Sequence, residues 1–158
     1  MGENAPLCHK ARAMFLGEYE HTIDDKGRLT IPAKFRDELE SGLVITRGLD
    51  GCLWAYPRGE WEKVTEKIAE LPSSDQNVRN FVRFFFSSAF DSIPDRQGRV
   101  LIPQNLREYA GISSETAVIG VMNRLELWSP TKWADVFAKV EENPEAIVSQ
   151  LQDLGINF

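Results

Sequence analysis

Between residues 17 and 23 the positions Gly17, Tyr19, His21 and Ile23 alternate with Glu18, Glu20 and Thr22. A two-residue period is that of a strand with one face buried. Lys26-Gly27 predicts a hairpin turn, since glycine supplies the positive φ that a tight turn demands. The chain resumes as a strand over 28–31. Pro32 cannot extend a ladder but suits the first turn of a helix. A short helix is therefore predicted over 33–39, with Phe35 and Leu39 four apart toward a core. Two more short strands, 43–46 and 52–56, flank a turn at 48–51.

The same order is then written again. Asp24, Gly27, Arg28, Ile31, Pro32 and Arg36 return as Asp95, Gly98, Arg99, Ile102, Pro103 and Arg107, each 71 positions on, as 27 and 98 show. Tyr19, Leu29 and Phe35 find Phe90, Val100 and Leu106 at the same offset. A duplicated unit of this kind means two copies of one structural piece. The second copy predicts strands at 90–93 and 99–102, a turn at Gln97-Gly98, a helix from Pro103 to about Gly111, and strands at 117–121 and 125–128. Each copy closes on an aromatic before a helix start, at Tyr56-Pro57 and at Trp128-Ser129-Pro130, with Ser129 a good N-cap.

Helical periodicity fills the rest. Over 60–71, Trp61, Val64, Ile68 and Leu71 share a face, and Pro72 ends the helix. A second helix, capped by Ser74 or Asp75, runs to about Phe86 with Val78, Phe81, Val82 and Phe85 on its apolar side. Residues 131–140 and 145–154 are helical candidates. The pattern predicts an α+β, β-rich chain: two β-β-α-β units with inserted and C-terminal helices. Neither half has enough strand to bury its own core, so the two should share one small β-barrel. The boundaries follow: a flexible extension over 1–13, a first repeat over 18–61, a helical insertion over 62–88, a second repeat over 89–132 and a helical tail over 133–158.

Composition adds limits. A chain of 158 residues with 42% hydrophobic and 27% charged residues is ordinary for a soluble globular protein. No apolar run is long enough to span a bilayer, and residues 1–13 do not read as a signal peptide. Cys8 and Cys52 have no metal-ligand spacing, and no cofactor is expected. A reduced, intracellular setting is expected.

A net charge of −6 argues globally against nucleic acid, but the charge is uneven. Lys26, Arg28, Lys34 and Arg36 outnumber Asp24 and Asp25 in the first motif, and Arg96, Arg99 and Arg107 outnumber Asp95 in the second. The stretch 135–158 is strongly acidic. Screening confines surface electrostatics to about 8–10 Å at physiological salt, so these local islands decide whether a phosphate backbone is attracted.

The chemistry-bearing residues are the repeated Asp and Arg. Asp24 and Arg28 are four apart across a turn, as are Asp95 and Arg99. Read structurally, each Asp accepts turn N–H groups and its Arg pairs back to it. Read functionally, the hairpins lift Lys26, Arg28, Arg96 and Arg99 onto one exposed surface, where an arginine fork grips phosphate or the O6/N7 edge of guanine. The two readings are compatible. His21 and the Phe81–Phe86 run read as packing, and Trp54, Trp61, Trp128 and Trp133 as core or subunit contacts; Arg79 and Arg83 read as a solvated helix face ahead of a phosphate contact. No Ser/His/Asp, Cys/His or paired-carboxylate constellation suggests an enzyme.

The run from Met14 to Arg36, with the second Asp95-x-x-Gly98-Arg99…Ile102-Pro103 unit and Tyr109-Ala110-Gly111 after it, closely resembles the MraZ family over about residues 14–154. The resemblance implies that each repeat is a SpoVT-AbrB-like swapped hairpin, the two sharing a double-psi-like barrel. It implies a bacterial, cytoplasmic and nucleoid-associated regulator of the division and cell-wall gene cluster, its own gene included. Such regulators assemble as rings on double-stranded DNA and bind G-rich direct repeats. The family's Asp-x-x-x-Arg signature falls on Asp24/Arg28 and Asp95/Arg99, with Lys26, Lys34, Arg36 and Arg96 as accompanying DNA-binding cations. Residues 1–13 precede the usual family start. Arg96-Gln97 stands where the first motif has Asp25-Lys26, which ranks the first motif higher for DNA contact. The competing expectation is an AbrB-like antitoxin or assembly module with no specific DNA site.

Overall fold

The computed structural model describes residues 14–157; the expected extension over 1–13, with Cys8, lies outside them. Eight strands form in chain order: β1 Phe15–Thr22, β2 Arg28–Thr30, β3 Leu43–Arg47, β4 Leu53–Pro57, β5 Phe90–Ser92, β6 Arg99–Leu101, β7 Glu115–Met122 and β8 Arg124–Trp128. The helices are α1 Arg36–Leu39, α2 Arg58–Ala69, α3 Gln76–Ser87, α4 Gln104–Ala110, α5 Pro130–Glu142 and α6 Pro144–Asp153. The fold is α+β, as the repeated pattern predicts.

The strands do not pair within their own repeats alone. One sheet runs β1-β7-β8-β4-β3-β5, and β2 with β6 makes a separate two-stranded ribbon. The first strand of each repeat is lent to the third strand of the other: β1 lies antiparallel on β7, with Tyr19 opposite Val118, and β5 on β3, with Phe90 opposite Ile45. The ribbon register is Arg28 opposite Leu101, Leu29 opposite Val100 and Thr30 opposite Arg99. Moving every residue to its counterpart 71 positions away returns the same ladder, so Leu29 and Val100 sit on an internal two-fold relation. In the sheet, β4 meets β8 with Leu53 opposite Leu127, Trp54 opposite Glu126 and Ala55 opposite Leu125, again self-complementary about its centre.

This exchange explains why the halves share one interior. Leu29 and Val100 from the ribbon, Ile45, Leu53, Val118 and Leu125 from the sheet, and Phe35, Leu39 and Leu106 from the short helices belong to one buried cluster. Full burial of each such aliphatic side chain is worth roughly 1.5–3 kcal/mol. On the sheet's other face, Cys52, Ala117, Ile119 and Trp128 meet Trp133 and Val136 of α5. Over β3 and β4, Phe85 of α3 packs edge-on to Trp54 and stacks on Trp61 of α2. The tryptophans thus serve packing.

Local signals place the elements. Asp75 caps α3 through its side chain, accepting from the Asn77 N–H at 2.7 Å, and Ser129 caps α5. Gly111 ends α4 in the left-handed region at φ 69°. Two details differ from the pattern. The predicted 33–39 helix is a 3-10 turn, Ala33–Phe35, followed by the single turn of α1, because Phe35 and Leu39 must both reach the core directly behind Pro32. Strand β1 starts two residues before the alternation does, at the fully buried Phe15. Gly17 takes a positive φ, 99°, while the pairing of β1 with β7 runs through it without a bulge.

Candidate nucleic-acid interface

The two motifs build one surface. In the first, Asp24 Oδ1 accepts the backbone N–H groups of Lys26 at 3.0 Å and Arg28 at 2.9 Å, while Oδ2 accepts Arg28 Nε at 2.8 Å. In the second, Asp95 Oδ1 accepts from Gln97 and Arg99, both at 2.9 Å, and Oδ2 accepts Arg99 Nε at 2.9 Å. A backbone bond from Gly27 to the Asp24 carbonyl, 3.0 Å, closes one turn, and Gly98 to Asp95, 2.9 Å, closes the other. Each aspartate is therefore both a turn former and a brace for its arginine. The N–H of Arg28 at Asp24, and that of Arg99 at Asp95, are the leading cause that holds each carboxyl below its ordinary value, with the arginine side chain adding to it.

The brace leaves the business end of each arginine available. Both guanidinium groups hydrogen-bond through Nε, and among the described residues their Nη groups donate no hydrogen bond. Nη1 of Arg99 lies 3.9 Å from Asp24 Oδ2, so Asp24 attracts both arginines. Leu29 and Val100 face the core at 0% and 1% exposure, so alternation turns Arg28, Thr30, Arg99 and Leu101 outward. Lys26 and Arg96 stand exposed on the flanking turns.

The other two predicted cations separate. Lys34 is exposed on the 3-10 turn. Arg36 donates from Nε to the Ile31 carbonyl at 3.2 Å and lies against Gly98 of the opposite repeat, where a Cβ would come within 2.5 Å of Nε. Arg107 mirrors it, donating to the Ile102 carbonyl at 2.9 Å and lying over Gly27. Two backbone bonds seal the crossing: Ile31 N–H to the Gly98 carbonyl and Ile102 N–H to the Gly27 carbonyl, both 2.8 Å. Arg36 thus locks the ribbon's turns together. The sequence reading left out Thr30 and Leu101 from this face and the part played by Arg107. The offset that pairs Arg36 with Arg107 was the signal for the last.

Elsewhere the described residues hold no cluster of three or more His, Cys, Asp or Glu placed to bind a metal, and no helix among them is long and apolar enough to cross a membrane. Cys52 is buried, and burial pushes its thiol up to about 12, far from a reactive thiolate.

Two exchanged hairpin units around one core, with a mirrored Asp–Arg pair on a joint ribbon, define a tandem swapped-hairpin protein. The family described as "MraZ protein, putative antitoxin-like" matches this chain twice, over residues 14–84 and 85–154. Each matched stretch takes in most or all of the two helices that follow its strands. Relatives named "Transcriptional regulator MraZ" span nearly the whole chain. That of Halothermothrix orenii is 52% identical over 143 residues, 90% of this chain and 100% of the relative. Those of Pediococcus pentosaceus and Syntrophomonas wolfei are 49% and 51% identical with the same coverage. The chain belongs to the MraZ family.

Proposed function

We propose that this protein is a DNA-binding transcriptional regulator, not an enzyme, and that the β2–β6 ribbon is its reading head. The observation that carries the proposal is the placing of Arg28 and Arg99 on one outward ribbon face, each braced by an aspartate at Nε, with Nη groups that donate no hydrogen bond among the described residues. A two-stranded ribbon fits the major groove of B-DNA, about 12 Å wide, where an arginine fork matches guanine O6 and N7. Lys26, Arg96 and Lys34 flank it as phosphate contacts. The names of the relatives support the coarse reading; the ribbon supports the residues.

A single copy neutralises few phosphates, and affinity grows with their number. A ring of copies would present many ribbons, linked at high effective concentration. Its subunits would be related head to tail, so every ribbon would meet DNA in the same sense, which suits direct rather than inverted repeats. We therefore propose a ring-shaped homo-oligomer, cytoplasmic and nucleoid-associated, acting on G-rich direct repeats ahead of the division and cell-wall gene cluster that includes its own gene. The family's antitoxin-like description corresponds to a second reading, a protein-binding module; the concentration of cations on one ribbon favours DNA.

A gel-shift titration of the chain against its own upstream DNA at several salt concentrations tests this. Arg28→Ala should remove most of the binding while the circular-dichroism spectrum stays unchanged. Undiminished affinity in that variant would sink the ribbon as the reading head.

A further inference from the structure

The outward face of the ribbon carries four side chains, Arg28 and Thr30 on β2 and Arg99 and Leu101 on β6. The internal two-fold relation exchanges Arg28 with Arg99 and Thr30 with Leu101, since the register sets Arg28 opposite Leu101 and Thr30 opposite Arg99. The arginines survive that exchange unchanged. The other pair does not, because one position is a threonine and the other a leucine.

Leu101 is the odd member of this face. It is 41% exposed, and Val100 beside it already supplies the strand's contact with the core. An exposed leucine is common enough alone. Here it stands among cations, directly across the ladder from Arg28, where opposed Cβ atoms lie about 4.5–5.5 Å apart. A surface meant only for phosphate gains nothing from it.

The base edges in the major groove offer donors, acceptors and one apolar group, the C5-methyl of thymine. A leucine beside an arginine fork therefore matches a thymine beside a guanine. Thr30 makes a different offer. Its hydroxyl both donates and accepts, so it suits more than one base edge next to Arg99.

We infer that Leu101 is a specificity-determining residue, which reads the methyl group of a thymine neighbouring the guanine held by Arg28. The inference rests on the ribbon as the reading head and names a second base that the head demands. It also gives the head a direction. Two-fold related arginines alone would dock equally well either way round on a site. With leucine at one end and threonine at the other, one orientation sets the apolar side chain against the methyl and the reverse does not. The turns differ as well, Asp25-Lys26 against Arg96-Gln97, but contacts to phosphate carry no sequence information. The direct repeats proposed above need a head that tells the two directions apart.

Replacing thymine by deoxyuridine tests this, because it removes the methyl and leaves the hydrogen-bonding edges in place. The full chain is titrated by fluorescence anisotropy against its own upstream DNA, with the replacement made in one strand and then in the other. Wild type should bind one of the uracil duplexes more weakly than the thymine duplex, by at least about 4-fold, the worth of one buried methyl. Leu101→Ser should bind the thymine duplex more weakly and treat thymine and uracil alike; circular dichroism checks that it folds. Equal affinity of the wild type for all three duplexes overturns the inference without recourse to any variant. A thymine preference that persists in Leu101→Ser overturns it too, since Leu101 would then only cover the methylenes of Arg28. Both of those outcomes leave the reading head standing provided that Arg28→Ala still loses the thymine duplex. Full binding by Arg28→Ala removes the reading head and this inference with it.

Discussion

Arg36 of the first repeat lies across Gly98 of the second, close enough that a methyl group at residue 98 would stand 2.5 Å from Nε. Gly98 also holds φ at 76°, in the region that costs an L-residue roughly 1–2 kcal/mol. Gly98→Ala should therefore destabilise the chain by about 2 kcal/mol or more, strain and displaced arginine together. At Gly27 the approach of Arg107 is looser, 3.0 Å from its Nη2. Gly27→Ala should cost less, and urea denaturation of the two variants side by side measures the difference. Equal losses would show that the arginine crossing adds nothing to the backbone strain.

The shared ribbon alters the ranking of the two arginines. Local charge alone favours Arg28, yet Arg99 stands on the same face and its Nη1 reaches toward Asp24. Arg99→Ala is expected to weaken DNA binding as well. Each loss should fall within the roughly 1–3 kcal/mol of a bidentate base contact, or about 5- to 150-fold in Kd. A gel shift on matched and scrambled operator DNA separates roles: the arginine variants should flatten the preference between them. Arg99→Ala with unchanged affinity would assign the second motif to something other than DNA.

Lys26→Ala should behave differently. A phosphate contact carries no sequence information, so affinity should fall alike on matched and scrambled DNA. The slope of log K against log salt should shrink in magnitude by roughly 0.9 for the one phosphate lost. A loss confined to the matched site would make Lys26 a base reader.

Asp24 and Asp95 give a pH dependence of known sign. Their carboxyls are held below their ordinary value in the folded chain, chiefly by the backbone N–H groups of Arg28 and Arg99. Stability from such a group is fully present above the unfolded value and is lost as pH falls through the folded one. The turns should thus hold at neutral pH and loosen only in acid, below the ordinary carboxylate range. Carbon-detected NMR titration of the two carboxyls checks this; either one titrating at or above its ordinary value would contradict the bracing geometry.

The exchange of strands predicts what happens when the chain is cut. A fragment ending near residue 84 keeps β1 and β3 but loses β7 and β5, their partners. Because the repeats are counterparts, a second fragment can supply those edges only by taking the other repeat's place. Sedimentation should find this fragment unfolded or dimeric. A folded monomer would show that the exchange is dispensable.

Much of this was legible in the residues. Alternation, the Gly27 and Gly98 turns, the prolines and the caps at Asp75 and Ser129 are local signals, and the elements formed within a few positions of them. The 71-residue offset announced two equivalent units and a common core. What stayed hidden was long-range. Nothing in the neighbourhood of Arg36 says that it will settle on Gly98, and nothing around Arg99 says that its ribbon partner is Thr30. Such relations depend on which strand pairs with which, and an internal two-fold relation becomes visible only once the ladders are laid out. The short helix over 33–39 formed at its expected bounds, but a helical period over seven residues does not say how tightly each turn winds, and its first turn is 3-10.

The exchange has a cost in time. Phe15 waits for Met122, its partner across the β1–β7 ladder, and at about 5–20 residues per second the ribosome needs roughly 5–20 s to make the intervening chain. Throughout that interval the first half carries unpaired strand edges, and two nascent chains on neighbouring ribosomes could trade them. The duplication that fused two hairpins into one polypeptide guards against this, since the rightful partner arrives tethered to the same chain. What a pair of separate molecules would have to find by diffusion, this protein finds by finishing its own synthesis.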